Sequence, residues 1–162
     1  TANHGIELSG GKVKALGTGS LMITGTGAKG GTGINGATAT ITTVGGNITM
    51  TGHGGVNASN NRGIYLVTST VQSSSGGTIL LTGVAHSMTT GTGNTGVYIL
   101  NSTLGTSGSF TIIGTGGGGT GSNHGIHLQG ITGTTFASVT STGTITDGHP
   151  LTSKQTIGNF FP

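Results

Sequence analysis

Histidine is the side chain with most chemical reach in this sequence, and there are six: His4, His53, His86, His124, His127 and His149. His124 and His127 stand in an H-x-x-H spacing. A zinc site needs three or four ligands drawn from Cys, His and carboxylates. The chain has no Cys, and its only carboxylates are Glu7 and Asp147. On a strand, the H-x-x-H spacing places the two on opposite faces or around a corner, so the histidines read as exposed strand and corner residues. Glycoside hydrolysis asks for two carboxyl groups within about 5–9.5 Å, and Glu7 and Asp147 fall at opposite ends of the chain. Calcium-binding solenoid repeats place an Asp in each turn, which these repeats lack. The many GTG and GxG strings are not followed by the Lys-Ser/Thr of a phosphate loop. No catalysis, metal or cofactor is expected.

Charge narrows the partners. Lys12, Lys14, Lys29, Arg62 and Lys154 outnumber the two acids to give a net charge of +3. Scattered cations make no basic stripe, so nucleic acid is not expected as a partner. No apolar run approaches the roughly 18 residues of a membrane helix. No signal peptide or initiator Met opens the sequence, and Thr1 reads as a processed or excised start. Asn47, Asn57 and Asn101 head Asn-x-Ser/Thr strings, as chance alone supplies in so polar a chain.

What must position these residues is a repeat. With 37 Gly and 4% charged residues the chain could pass for low complexity. Disorder, however, goes with low hydrophobicity and high charge, and here apolar residues cluster in LMI, TILL and FTII. The strings HGIEL, TGING, RGIYL, TGVYI and HGIHL place Gly5, Gly33, Gly63, Gly96 and Gly125 at intervals of 28, 30, 33 and 29 residues. A second landmark closes SLMITG, NITMTG, TILLTG, FTIIG and SVTSTG at Gly25, Gly52, Gly83, Gly114 and Gly143.

Columns down these units alternate apolar and polar, the period-2 mark of strands with one inward face. Ile6, Ile34, Ile64, Val97 and Ile126 form one inward column, and Leu8, Gly36, Leu66, Ile99 and Leu128 another. Val13, Ile41, Val71 and Leu104 form a third, which the fifth unit breaks with Gly133. Leu21, Ile48, Ile79, Phe110 and Val139 form a fourth, and Thr24, Thr51, Thr82, Ile113 and Thr142 stand beside the closing glycines. A 30-residue unit with three short strands cannot bury its own apolar side chains. Stacking on the next unit can, and the expected fold is all-β: a parallel β-helix of about five rungs over residues 1–146. Residues 147–162 read as a tail, cap or inter-subunit contact.

Three sets of residues stand out on this frame. Asn3, Asn61, Asn94 and Asn123 share one register before the first landmark Gly. Asn tolerates left-handed backbone, and its amide can donate and accept, so a corner ladder is expected there. Tyr65, Tyr98 and His127 share an outward register and should stack ring over ring, a candidate face for glycan or another surface. Phe160 and Phe161 close the chain with an apolar end, a candidate assembly contact. The T-x-T pairs Thr24/Thr26 and Thr49/Thr51 invite comparison with ice-binding solenoids, against which the uneven unit length counts.

Runs such as GGNITMTGHGG, GGTILLTG and GTGGGGTGSNHGIHLQG resemble the Gly/Thr/Ser/Asn-rich repeats of bacterial surface proteins of the filamentous-haemagglutinin and autotransporter-passenger kind. The resemblance covers about residues 3–146. It implies a right-handed solenoid that is extracellular or on the cell surface, and a structural role. The expected function is a filament subunit, self-associating head to tail, or a segment of a large adhesin-type protein. The alternative is a glycan- or surface-binding module using the Tyr/His face.

Overall fold

The computed structural model describes residues 3–56, 59–89, 91–133, 138–142 and 144–147. The chain winds through β1 (Ile6–Ser9), β2 (Lys12–Ala15) and β3 (Leu21–Thr26), then β4 (Ile34–Ala37), β5 (Thr40–Thr43) and β6 (Ile48–His53). It repeats the course in β7 (Ile64–Val67), β8 (Thr70–Ser73) and β9 (Ile79–Val84), and again in β10 (Val97–Leu100), β11 (Thr103–Thr106) and β12 (Phe110–Thr115). β13 (His124–Gln129), β14 (Ser138–Thr142) and β15 (Thr144–Asp147) follow. Every pairing among these strands is parallel and joins one turn to the next.

Three sheets result, ordered β1-β4-β7-β10-β13-β15, β2-β5-β8-β11 and β3-β6-β9-β12-β14. The protein is thus an all-β parallel solenoid of about four turns with three strands per turn. Among the described residues the second sheet runs to β11, and an isolated bridge, Thr103 to Thr132, continues it. Gly133 follows that bridge with φ +101° and offers no side chain to cover Leu104. Ile131 leans on the core instead.

The inward columns meet in one core. Ile34, Ile41, Ile48, Met50, Ile64, Leu66, Val71, Leu81, Ile99, Leu104, Phe110 and Ile112 are fully buried. Gly36 interrupts its column without leaving a hole: a Cβ there would stand 2.7 Å from Leu66 Cδ2, so the leucine occupies the space.

One expected register is corrected. Val139 lies opposite Ile112, not Phe110, and Thr140 and Ser141, not Thr142 and Gly143, lie opposite Ile113 and Gly114. The offset is two residues. A two-residue slip leaves every side chain on the same face of its strand, so alternation alone cannot distinguish the registers.

Candidate functional site

The two glycine landmarks are opposite sides of one contact, where the third sheet runs into the first. A Cβ on Gly25, Gly52, Gly83 or Gly114 would overlap the carbonyl oxygen of Gly33, Gly63, Gly96 or Gly125 respectively. These glycines have ordinary φ, and what they supply is close approach of backbone to backbone. Left-handed backbone occurs elsewhere. Gly10, Thr38, Thr68, Asn101 and Gly130 share one corner register at φ between 46° and 64°. A second such column, Gly30, Asn60, Gly93 and Ser122, immediately precedes the asparagine register.

That placement corrects the expectation for the asparagines, whose own φ is not left-handed. Their amides nevertheless form a ladder. Asn94 Oδ1 accepts from Asn61 N at 3.1 Å, and Asn123 Oδ1 accepts from Asn94 N at 3.0 Å. The Asn94 amide also donates to Gly91 O and Gly118 O at 3.1 and 3.3 Å. The ladder stops one turn lower because Gly31 stands in the register and gives its N–H to Ala28 O. Asn3 is exposed and joins only through its main-chain oxygen, which accepts from Ala28 N. A serine ladder at the next corner was not foreseen. Ser69 Oγ accepts from Ala39 N, and Ser102 Oγ from Ser69 N, both at 3.1 Å.

On the outer face of the first sheet, Tyr65, Tyr98 and His127 do share one register. Tyr98 and His127 stack with ring centroids 4.4 Å apart and planes 1° apart, while Tyr65 tilts against Tyr98 at 5.4 Å and 53°. His124, expected on the opposite face or around a corner from His127, brings its ring to 5.9 Å from that of His127. It begins β13 at a point where pairing with β15 is irregular, and such bulges re-aim side chains. Burial, and secondarily the nearby His127, hold the His124 imidazole below the usual histidine range.

Sequence reasoning missed Arg62. It projects from the corner before β7, and its Cζ lies 4.4 Å from the centre of the Tyr65 ring and 4.6 Å from that of Tyr98. Its Nη2 donates to Asn60 Oδ1 at 3.2 Å, while its Nε is buried without a hydrogen-bond partner. Burial pulls the guanidinium below its ordinary range, with Tyr65 and Tyr98 pulling the other way. In the sequence Arg62 is set apart only as the chain's one arginine; its place three residues before Tyr65 does not say that it folds back over the rings.

Beside the aromatic column runs an apolar one, Ala37, Val67 and Leu100, all half-buried. Glu7 and Asp147 sit on β1 and β15, the two ends of this sheet. Among the described residues no group of three or more His, Cys, Asp and Glu is placed to hold a metal. Among the described residues no helix is long and apolar enough to cross a membrane. Phe160 and Phe161 lie outside the described residues. The T-x-T threonines face outward on the third sheet, but their columns are interrupted by Met22, His53, Leu80, Val84 and Ile113. Thr40, Thr70 and Thr103 repeat the theme on the second, so outward threonine is this solenoid's general choice.

Fold and face together define a parallel β-solenoid repeat protein. Comparison of the chain with protein-family models, curated proteins and solved structures found no match.

Proposed function

We propose that this chain is a structural element of an extracellular or cell-surface fibre, either a self-assembling filament subunit or one segment of a longer adhesin-type stalk. We read the solenoid as right-handed, with β13, the Thr132 bridge and β14 making a fifth, reduced rung. The observation that carries the reading lies in the first turn. Ile6, Leu8, Val13 and Leu21 point into the core column but are only partly buried. Their counterparts one turn on, Ile34, Ile41 and Ile48, are fully buried. β1, β2 and β3 are also the edges of their sheets among the described residues. An open edge with half-covered apolar side chains is a template for another rung. A head-to-tail contact does not close, so it propagates.

Electron microscopy of the 162-residue protein tests this. A subunit gives fibres with an axial repeat of roughly 24–29 Å, five or six rungs at about 4.8 Å each. Deleting residues 157–162, with Phe160 and Phe161, or introducing Leu8→Lys, prevents fibres while β-rich circular dichroism persists. A stalk segment gives no fibres, but a tandem fusion of two copies melts higher than one copy, because the second copy's first turn becomes covered. A monomer whose tandem fusion melts no higher overturns both forms of the reading.

A further inference from the structure

We propose that the outer face of the first sheet binds the carboxylate groups of an acidic polysaccharide, with Arg62 as the anchor. The inference is independent of fibre formation and rests on the outward Tyr/His column as the binding face.

Three features point there. Arg62 is a cation drawn against two tyrosine rings, with one hydrogen bond to Asn60 and a buried Nε that has none. Buried or half-buried charge is normally paired. The only two carboxylates of the chain sit on β1 and β15, at the ends of the sheet, while Arg62 precedes β7 in its middle. A ligand carboxylate on the outer Nη edge would supply the counter-charge that no described residue is seen to give, since that edge of the guanidinium matches a carboxylate in two parallel hydrogen bonds.

The aromatic faces are the second feature. Tyr98 and His127 cover each other, and Arg62 lies over Tyr65 and Tyr98. The stack therefore has little ring face left for a neutral sugar and recognises through its polar edges and its cation. The third feature is shape. The polar column of Asn35, Tyr65, Tyr98 and His127 runs along the solenoid axis, with Glu7 at its β1 end two rungs from Tyr65, so the ligand is placed on the turns of β7 to β13. The apolar strip of Ala37, Val67 and Leu100 runs parallel to it. The strips are two residues apart on each strand, about 6.6 Å, which is the width of one sugar ring. A uronate lying across them would set its C–H face on Val67 and Leu100 and turn its carboxylate to Arg62.

The test is affinity electrophoresis of the 162-residue protein in calcium-free gels holding polygalacturonate, its fully methyl-esterified form, or dextran sulfate. Polygalacturonate should retard the protein, and methyl esterification should abolish the retardation. Arg62→Gln should weaken binding about tenfold or more, the scale of a lost charge-assisted hydrogen-bond pair. Val67→Glu, which leaves Arg62 and its ring contacts in place but puts a like charge beside the ligand, should weaken it comparably. It also keeps the test decisive if Arg62→Gln melts early. Lys29→Gln, at an exposed corner, should bind as the parent does. Fibre content is scored on the same samples, so loss of binding and loss of assembly are separate results. Equal retention by the methyl ester, no retention of the parent, or unchanged binding in both Arg62→Gln and Val67→Glu overturns the proposal. So does equal binding of dextran sulfate that Lys29→Gln and Arg62→Gln reduce alike, which is attraction to net charge alone.

Discussion

The Oδ1 of Asn94 accepts the main-chain N–H of Asn61 from the turn below at 3.1 Å, while its amide nitrogen donates to the carbonyls of Gly91 and Gly118. One fully buried side chain thus closes three backbone groups on three consecutive passes of the chain. No strand pairs those groups, because a corner has no ladder.

Asn94→Ala is accordingly expected to destabilise the fold by about 1–3 kcal/mol, chiefly because the buried Asn61 N–H loses its acceptor, while Gly91 O and Gly118 O keep Thr120 N and Thr89 Oγ1. Asn3→Ala, at the exposed lower end of the same register, should be close to neutral. Urea titration followed by circular dichroism measures both. Equal midpoints would mean that the Asn94 amide is not what holds the corner.

Gly83→Ala places a methyl group against the Gly96 carbonyl oxygen and Val97 Cγ2. Backbone cannot rotate aside as a side chain can, so the first and third sheets must part, at a loss of about 1–3 kcal/mol. Gly11→Ala has nothing within 4 Å of the new Cβ and no positive φ. It should be neutral or slightly stabilising. Thermal melts of the two variants should therefore move apart.

Thr68 holds φ +49° at a corner where the next turn carries Asn101 at φ +46°. A β-branched residue pays more than Asn for left-handed backbone. Thr68→Asn should gain about 0.5–1 kcal/mol, and a rise in melting temperature checks it. Thr68 is exposed, so no packing change competes.

The depressed pKa of His124 makes stability depend on pH. Its folded value lies below that of the unfolded chain, about 6.5, so the unfolded chain takes up the proton first. The stabilisation is complete above that value and is lost as pH falls through the folded one. His127 faces it, and Arg62 lies farther along the same column of rings. Melting temperature should drop between pH 7.5 and pH 5, and the drop should shrink in His124→Gln. An unchanged drop would assign it to other groups.

Sequence alone determined the repeat, the parallel stacking and the inward columns. Alternation at period 2 and a recurrent glycine are local facts, and a 30-residue unit that cannot bury its own isoleucines has to stack. It also placed Tyr65, Tyr98 and His127 in one register, because register follows from the spacing between landmarks. The asparagine ladder was legible as a column, Gly31 included, though not the left-handed residues beside it, since conformation at a corner is set by which backbone groups the neighbouring turn leaves open. Tertiary structure decided the rest. Why the landmark glycines are glycine depends on two sheets converging within a Cβ's width. The two-residue slip at β14 is invisible to alternation. Arg62 became part of the face only because its corner folds the long side chain back over rings on its own turn and the next, a contact made in space that no spacing along the chain specifies.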